Sequence, residues 1–229
     1  MDPKTTSQTA PFDGPIAGAD PEYDVWVFDL DGTLVDVERS YVFDVFDRVG
    51  DRIGHEFTAG EIEAVWHGFG GPRNERLREW GIDPDRFWRV FHEVEDPTAR
   101  AEATYLYDDA AVVAEIEAPT AVVTHCQQYL TDPVLRSVGA ADWFDAVVCC
   151  TEDTGWKPDP TPVQQALDAI DADPDASGVL VGDSPHDIGA AWNAGLDAAH
   201  VERHGPERRG LCVVSDHRLS RVDELCPVA

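Results

Sequence analysis

Three short apolar runs in this chain each end at a polar residue able to do chemistry. Val25-Trp26-Val27-Phe28 runs into Asp29, Ala121-Val122-Val123 into Thr124, and Gly178-Val179-Leu180-Val181-Gly182 into Asp183. Continuous apolar runs of this length, bounded by turn residues, read as strands buried on both faces. After each of the later runs the spacing turns helical. Helices are expected from about 127 to 137, from Thr161 to Ile170, and from Asp187 to Gly195. Ala146-Val147-Val148 adds a strand, and Ala198 to Val201 and Leu211 to Val214 read as closing strands. Strands alternating with helices imply a parallel sheet covered on both faces. In that architecture ligands bind beyond the carboxyl ends of the strands, where Asp29, Thr124 and Asp183 all fall.

The stretch from 38 to 117 follows a different rhythm. Tyr41, Val42, Val45, Phe46 and Val49 recur at spacings of three and four, followed by Ile62, Val65 and Trp66, then Leu77 and Trp80, then Phe87, Trp88 and Phe91. Gly70-Gly71-Pro72 and Gly81-Ile82-Asp83-Pro84 divide the series into separate helices, and no strand pattern interrupts it. Residues 1–22 have no apolar period and many turn formers, the pattern of a disordered tail. The expected fold is therefore α/β, a Rossmann-like doubly wound parallel sheet formed by residues 23–37 and 118–229, with a helical cap inserted at 38–117.

Charge narrows the partners. The chain carries 45 acidic residues against 17 basic, a net charge of −28. Such a surface suits molar salt, where the Debye length shrinks to about 3 Å and carboxylates no longer repel at range; a halophilic source is expected. The same field repels nucleic acid and anionic membranes, so neither is an expected partner. No apolar stretch approaches the roughly 20 residues that span a bilayer. Five cysteines without CxxC spacing, and no secretory signal ahead of them, point to reduced thiols in the cytoplasm. Only Lys4 and Lys157 are lysines, so a lysine inside a motif stands out.

Asp29 and Asp31, two residues apart at a strand end, can face one crevice. Attack by a carboxylate on an anionic phosphate ester needs a divalent cation, Mg2+, to screen the repulsion. Asp29 could then form an aspartyl-phosphate, with Asp31 as acid and base. Gly32 would let backbone approach the phosphate. Taken alone, Asp29-Leu30-Asp31-Gly32-Thr33 fits a calcium-like acidic turn equally well. Thr124 offers a hydroxyl to a phosphoryl oxygen or simply caps a helix. Lys157, in Trp156-Lys157-Pro158-Asp159-Pro160, offers a compact positive charge or lies in a surface loop. Asp183 and Asp187, one helical turn apart, suit magnesium; a plain helix start explains only one of them. His92 and His186 form no ligand-spaced cluster.

With these four motifs in this order, the chain resembles the haloacid dehalogenase superfamily, specifically phosphoglycolate-phosphatase-like hydrolases with a helical cap, over roughly residues 24–215. The resemblance implies Asp29 as nucleophile, Asp31 as general acid and base, and Thr124 and Lys157 as phosphate ligands. It also implies Asp183 as the principal magnesium ligand beside Asp29, Asp187 in support, and the Asp31 backbone carbonyl on the metal. Dehalogenases of the superfamily lack the second aspartate, so Asp31 argues for phosphoryl chemistry. Departures from the family pattern lie at His125, Trp156 and Val37. His125 either adds a donor to the substrate or sits at the crevice rim. In the cap, Arg73 and Asn74 are the candidates for specificity; Arg73 either pairs with a second anionic group or starts a helix in solvent. The expectation is a magnesium-dependent phosphatase acting on a small phosphate ester. A phosphosugar mutase is the alternative, with a dehalogenase or a non-catalytic receiver-like module further off. A receiver places its acidic pair on the first strand, whereas here the pair Asp183 and Asp187 comes last.

Overall fold

A computed structural model describes residues 23–210 and 212–225. The expected tail at 1–22 lies outside the described residues. Six parallel strands form the sheet: β1 (Val25–Phe28), β4 (Thr120–Thr124), β5 (Ala146–Cys149), β6 (Gly178–Gly182), β7 (Asp197–Val201) and β8 (His217–Leu219). Their spatial order is β5-β4-β1-β6-β7-β8, so β1 lies between β4 and β6, with Phe28 paired to Val122 on one side and Val181 on the other. The chain leaves β1 in one direction and returns to its other flank through β6, and the crevice opens where those two directions part.

Side chains along β1 alternate between two cores, as a pleated strand requires. Trp26 and Phe28 join Val122, Val134, Val179 and Val181 on one face. Val27 joins Ala121, Val123, Val163, Leu180 and Ile188 on the other. Helix α6 (Gln128–Ser137) supplies Val134 to the first core, while α7 (Thr161–Ala169) and α8 (Pro185–Ala194) supply Val163 and Ile188 to the second. The sheet is covered on both faces, as expected from its unbroken apolar runs.

Five helices follow the first motif: α1 (Arg39–Ile53), α2 (Ala59–Trp66), α3 (Arg73–Glu79), α4 (Pro84–Val94) and α5 (Pro97–Ala103). They enclose a third core built on Phe46, Val49, Phe87 and Phe91. Local chemistry sets their ends. Gly54 closes α1 in the left-handed region at φ 80°, Thr58 and Glu61 form a capping box on α2, and Asp83 and Asp96 cap α4 and α5 ahead of prolines.

Two details differ from the sequence reading. The chain enters and leaves the five helices through an antiparallel ribbon of β2 (Val35–Val37) and β3 (Thr104–Leu106). Three residues are too few to show a period, so β3 exists only through its pairing. The closing strand is β8 at His217–Leu219, and 212–214 are irregular, with Val214 74% exposed. Of that run's described residues, 212–214, only Val213 is buried, so these offer the sheet no continuous apolar face. Cys126, Cys149, Cys150 and Cys212 are free thiols. No helix among the described residues is long and apolar enough to cross a membrane.

Candidate active site

The strand ends deliver the motif residues to one place. The Asp29 amide donates to Val181 O at 2.9 Å, anchoring the residue just past β1. The chain then turns tightly, with Thr33 N and Leu34 N donating to Leu30 O at 3.2 and 2.9 Å. Gly32 sits at φ 82°, and a Cβ there would lie 3.0 Å from the Asp183 carboxyl carbon, so a side chain would strain the backbone and crowd the place where the two motifs meet. Thr33 Oγ1 donates to Asp29 Oδ2 at 3.1 Å.

Lys157 arrives from the loop after β5 and is 3% exposed. Its Nζ lies 2.6 Å from Asp29 Oδ1, 2.7 Å from Val123 O and 2.7 Å from Asp187 Oδ1. At the start of α8, Ser184 N and Oγ donate to Asp187 Oδ2 at 2.9 and 2.6 Å. A side chain at Gly182 would collide with Asp187 Cβ at 2.3 Å. The glycine is therefore what allows the second acidic residue to fold back onto the strand end.

Charge in this cluster is unbalanced. Burial pushes the Asp183 carboxyl up to about 8, and the neighbouring Asp187 and Asp29 add to the rise against the pull of Arg209. Burial also raises Asp29, with Lys157 working against it and Asp187 with it. Asp187 ends below its ordinary value: burial would raise it, but Lys157 and Ser184 outweigh that. For Lys157, burial disfavours the ammonium, yet Asp187 and Asp29 hold its pKa above normal.

Asp29, Asp183 and Asp187 each place a carboxylate oxygen within 4.8 Å of the others, and all three are buried. Asp187 Oδ1 is paired with Lys157 Nζ at 2.7 Å and Asp183 Oδ2 with Arg209 at 3.2 Å, so two cations face three carboxylates. Three hard oxygen donors with less positive charge around them than they carry negative fit a small divalent cation such as Mg2+. The Asp31 carboxylate does not join them; it turns to Arg100.

The sequence profile of the haloacid dehalogenase-like hydrolases matches residues 26–201, well over half the chain. This chain belongs to the haloacid dehalogenase-like hydrolases. Among relatives, pyrophosphatase PpaX of Anoxybacillus flavithermus is 26% identical over 209 residues, covering 88% of this chain and 94% of the relative. The N-acetylmuramic acid 6-phosphate phosphatase of Pseudomonas putida is 28% identical over 212 residues, covering 84% and 92%. The solved structure of CbbY from Rhodobacter sphaeroides in complex with phosphate superposes with a TM-score of 0.69 at 23% identity, covering 89% of this chain and 96% of that one. The last likeness is one of fold.

In this haloacid dehalogenase-like hydrolase a cavity of about 380 Å³ separates the acidic cluster from the five-helix block. Arg73 lines it, with Nη2 donating to Trp66 O at 3.0 Å and Nε without a partner among the described residues. Burial lowers the Arg73 pKa, although Asp183, Asp29, Asp187 and Asp31 all favour its charge. His125 also lines the cavity, and burial beside Lys157 and Arg73 pushes its pKa down to about 2, so it stands neutral. Thr124 is 1% exposed at the end of β4, where its Oγ1 accepts from Cys126 N at 3.0 Å. It lies beneath the cavity rather than on its wall.

Asn74 is not brought to the site. Its Oδ1 accepts from Trp88 Nε1 at 2.7 Å on an exposed face of the block. Successive residues of a helix point about 100° apart, and with Arg73 turned to the cavity Asn74 falls on the exposed side of α3. Sequence reasoning also missed two arginines. Arg100, on α5, pairs with Asp31. Arg209, on α9 (Pro206–Arg209), reaches Asp183 Oδ2 at 3.2 Å, while its backbone oxygen accepts from Gly70 N at 3.0 Å. Nothing in the local pattern marks either one. Both are recognisable only once distant segments meet.

Proposed function

We propose that this hydrolase cleaves a small phosphate monoester through a covalent aspartyl-phosphate on Asp29, in the cytoplasm of a halophile. The observation that carries the reading is the seating of Asp29: it opens to the cavity and is held from behind by Lys157 at 2.6 Å and Thr33 at 3.1 Å. Those contacts aim the carboxylate and limit its rotation, which favours attack along one line. Lys157, seated behind Asp29, would offset phosphoryl charge from beneath rather than grip an oxygen, Thr124 lies too deep to do so, and Arg73 would pair with a second anionic group of the substrate. Asp31 would give a proton to the departing oxygen and later take one from the water that hydrolyses the acyl phosphate. Asp29, Asp183, Asp187 and the Asp31 carbonyl would hold Mg2+, which when bound supplies the positive charge that lets a carboxylate and a phosphate approach. Asp187 is set for that task by the Ser184 hydrogen bonds, and Asp183 by Arg209 at 3.2 Å.

The test is phosphate release in molar potassium chloride with Mg2+, over phosphoglycolate, sugar phosphates, nucleotides and pyrophosphate. Asp29→Asn should fold normally and lose at least about 10³-fold in kcat. Substantial phosphate release by that variant overturns the nucleophile assignment.

A further inference from the structure

We propose that the side of the cavity formed by the five-helix block selects phosphate esters whose leaving group carries an apolar ring, with Trp66 and Trp88 as specificity-determining residues. The proposal rests on the phosphatase reading above and adds the part of the substrate which that reading leaves open. The cavity has two unlike sides. Asp29, Asp31, Asp183 and Asp187 line one. From the block, Phe46 on α1, Val65 and Trp66 on α2, and Trp88 and Phe91 on α4 line the other. The rings form one continuous patch: the Phe91 centroid lies 5.7 Å from that of Phe46, 6.2 Å from Trp66 and 5.5 Å from Trp88. Phe46 and Phe91 are buried, whereas Trp66 and Trp88 are half-buried. At about 380 Å³ the cavity is on the scale of pockets that hold drug-sized ligands, roughly 300–1,000 Å³. A two-carbon acid or a second phosphate would leave most of the patch against water.

Both indoles are fixed before a substrate arrives. Trp88 spends its one polar side-chain atom outside the cavity, where Nε1 donates to Asn74 Oδ1 at 2.7 Å; what it offers the cavity is ring. Asn74 therefore bears on the site at one remove, as a positioning residue that holds the Trp88 plane. Trp66 has the Arg100 guanidinium over its ring, 5.1 Å from the centroid, and its backbone oxygen accepts from Arg73 at 3.0 Å. A patch of preorganised rings gives hydroxyl groups no partner, so burying them against it costs free energy. A ring carries no such penalty and packs against faces and edges. Covering a phenylalanine-sized ring is worth about 10- to 100-fold in binding. The acidic side holds the reacting phosphate, so the ring is gripped equally before and during the reaction. The gain then falls on KM rather than kcat.

The test uses two pairs of esters that differ only by a phenyl group, so that the leaving oxygens are close in basicity. They are ethyl against 2-phenylethyl phosphate, and phospholactate against phosphophenyllactate, the second pair keeping an anion for Arg73. Wild type, in molar potassium chloride with Mg2+, should prefer the ringed member of at least one pair by about tenfold or more in kcat/KM, chiefly through KM. Trp88→Ala should remove most of that preference, with a clearly smaller loss on the unringed ester, and Trp88→Phe should keep part of it. Asn74→Ala should raise KM for the ringed ester, whereas Asn74→Asp, which keeps the acceptor, should not; an unchanged KM in Asn74→Ala overturns its positioning role. A wild type without preference in either pair overturns the proposal, a result that needs no variant. Equal losses on ringed and unringed esters in Trp88→Ala overturn it too. Turnover of p-nitrophenyl phosphate by wild type, lost in Asp29→Asn, upholds the phosphatase reading whatever the ring patch does; no turnover of any ester removes that reading, and this one with it.

Discussion

Two buried charge clusters touch the turn from Asp29 to Leu34, and they follow opposite rules. In the first, Asp109 accepts from Arg203 Nη1 and Nη2 at 2.8 and 2.9 Å and from Val222 N at 2.7 Å, while the same Nη2 donates to Thr33 O at 2.6 Å. Arg203 also lies 3.9 Å from the centre of the Tyr107 ring. One carboxylate meets one guanidinium. Burial would raise the Asp109 pKa, but Arg203 and the Val222 amide together bring it below normal. In the second cluster three carboxylates, Asp29, Asp183 and Asp187, share one ammonium and one guanidinium, those of Lys157 and Arg209, and Asp183 is pushed up to about 8 by burial and its acidic neighbours. A satisfied pair holds a loop in place. An oversupply of carboxylate is stable only because the rest of the fold compels it, and it invites a cation.

The largest expected effect breaks the balanced cluster. Arg203→Met strands Asp109 and should cost about 3–5 kcal/mol in urea unfolding; a loss under about 1 kcal/mol would mean that the pair does not secure the turn. At the unbalanced cluster a ligand, not a residue, should do the stabilising. Mg2+ at 100 times its Kd should add about 2.7 kcal/mol, read as a rise in melting temperature, and Asp183→Asn should erase most of that rise. An equal rise in the variant would place the cation elsewhere.

The smallest effect sharpens the contrast with a seam that holds no charge on its rings. His67, at the end of α2, lies 4.6 Å from the His204 ring, which follows β7. Burial pushes His67 down to about 3, helped by His204 and Arg208, and burial lowers His204 as well. Below pH 6.5 the unfolded chain takes up protons that the folded seam refuses, so stability falls as pH drops from about 6.5 toward 3. The melting temperature at pH 5 should lie below that at pH 7.5, at about 2–4 °C for each kcal/mol lost. His67→Phe should flatten that slope. An unchanged slope would assign the acid sensitivity to other groups.

Much of the site could be read from the chain because strand ends are visible in sequence. Asp29, Thr124 and Asp183 each follow an apolar run, and a parallel sheet carries the ends of neighbouring strands to one edge. Lys157 stood out because lysine is nearly absent. Arg73 and Asn74 show where this stops: adjacent in sequence, they diverge because the phase of α3 depends on what it packs against. Arg100 and Asp31 lie 69 residues apart, and no periodicity encodes their meeting.

What the sequence determined by itself was the order of elements and the chemistry of the motifs, since both depend on local pattern: buried runs, glycines that admit a close carboxylate, and a helix start at Ser184. Only the tertiary structure decided how the five-helix block faces the sheet, which arginines enter the cavity, and that Asp31 turns toward Arg100 rather than toward its acidic neighbours. Those choices arise from long-range packing and from the cost of burying charge unpaired, and neither quantity exists until the chain has closed on itself.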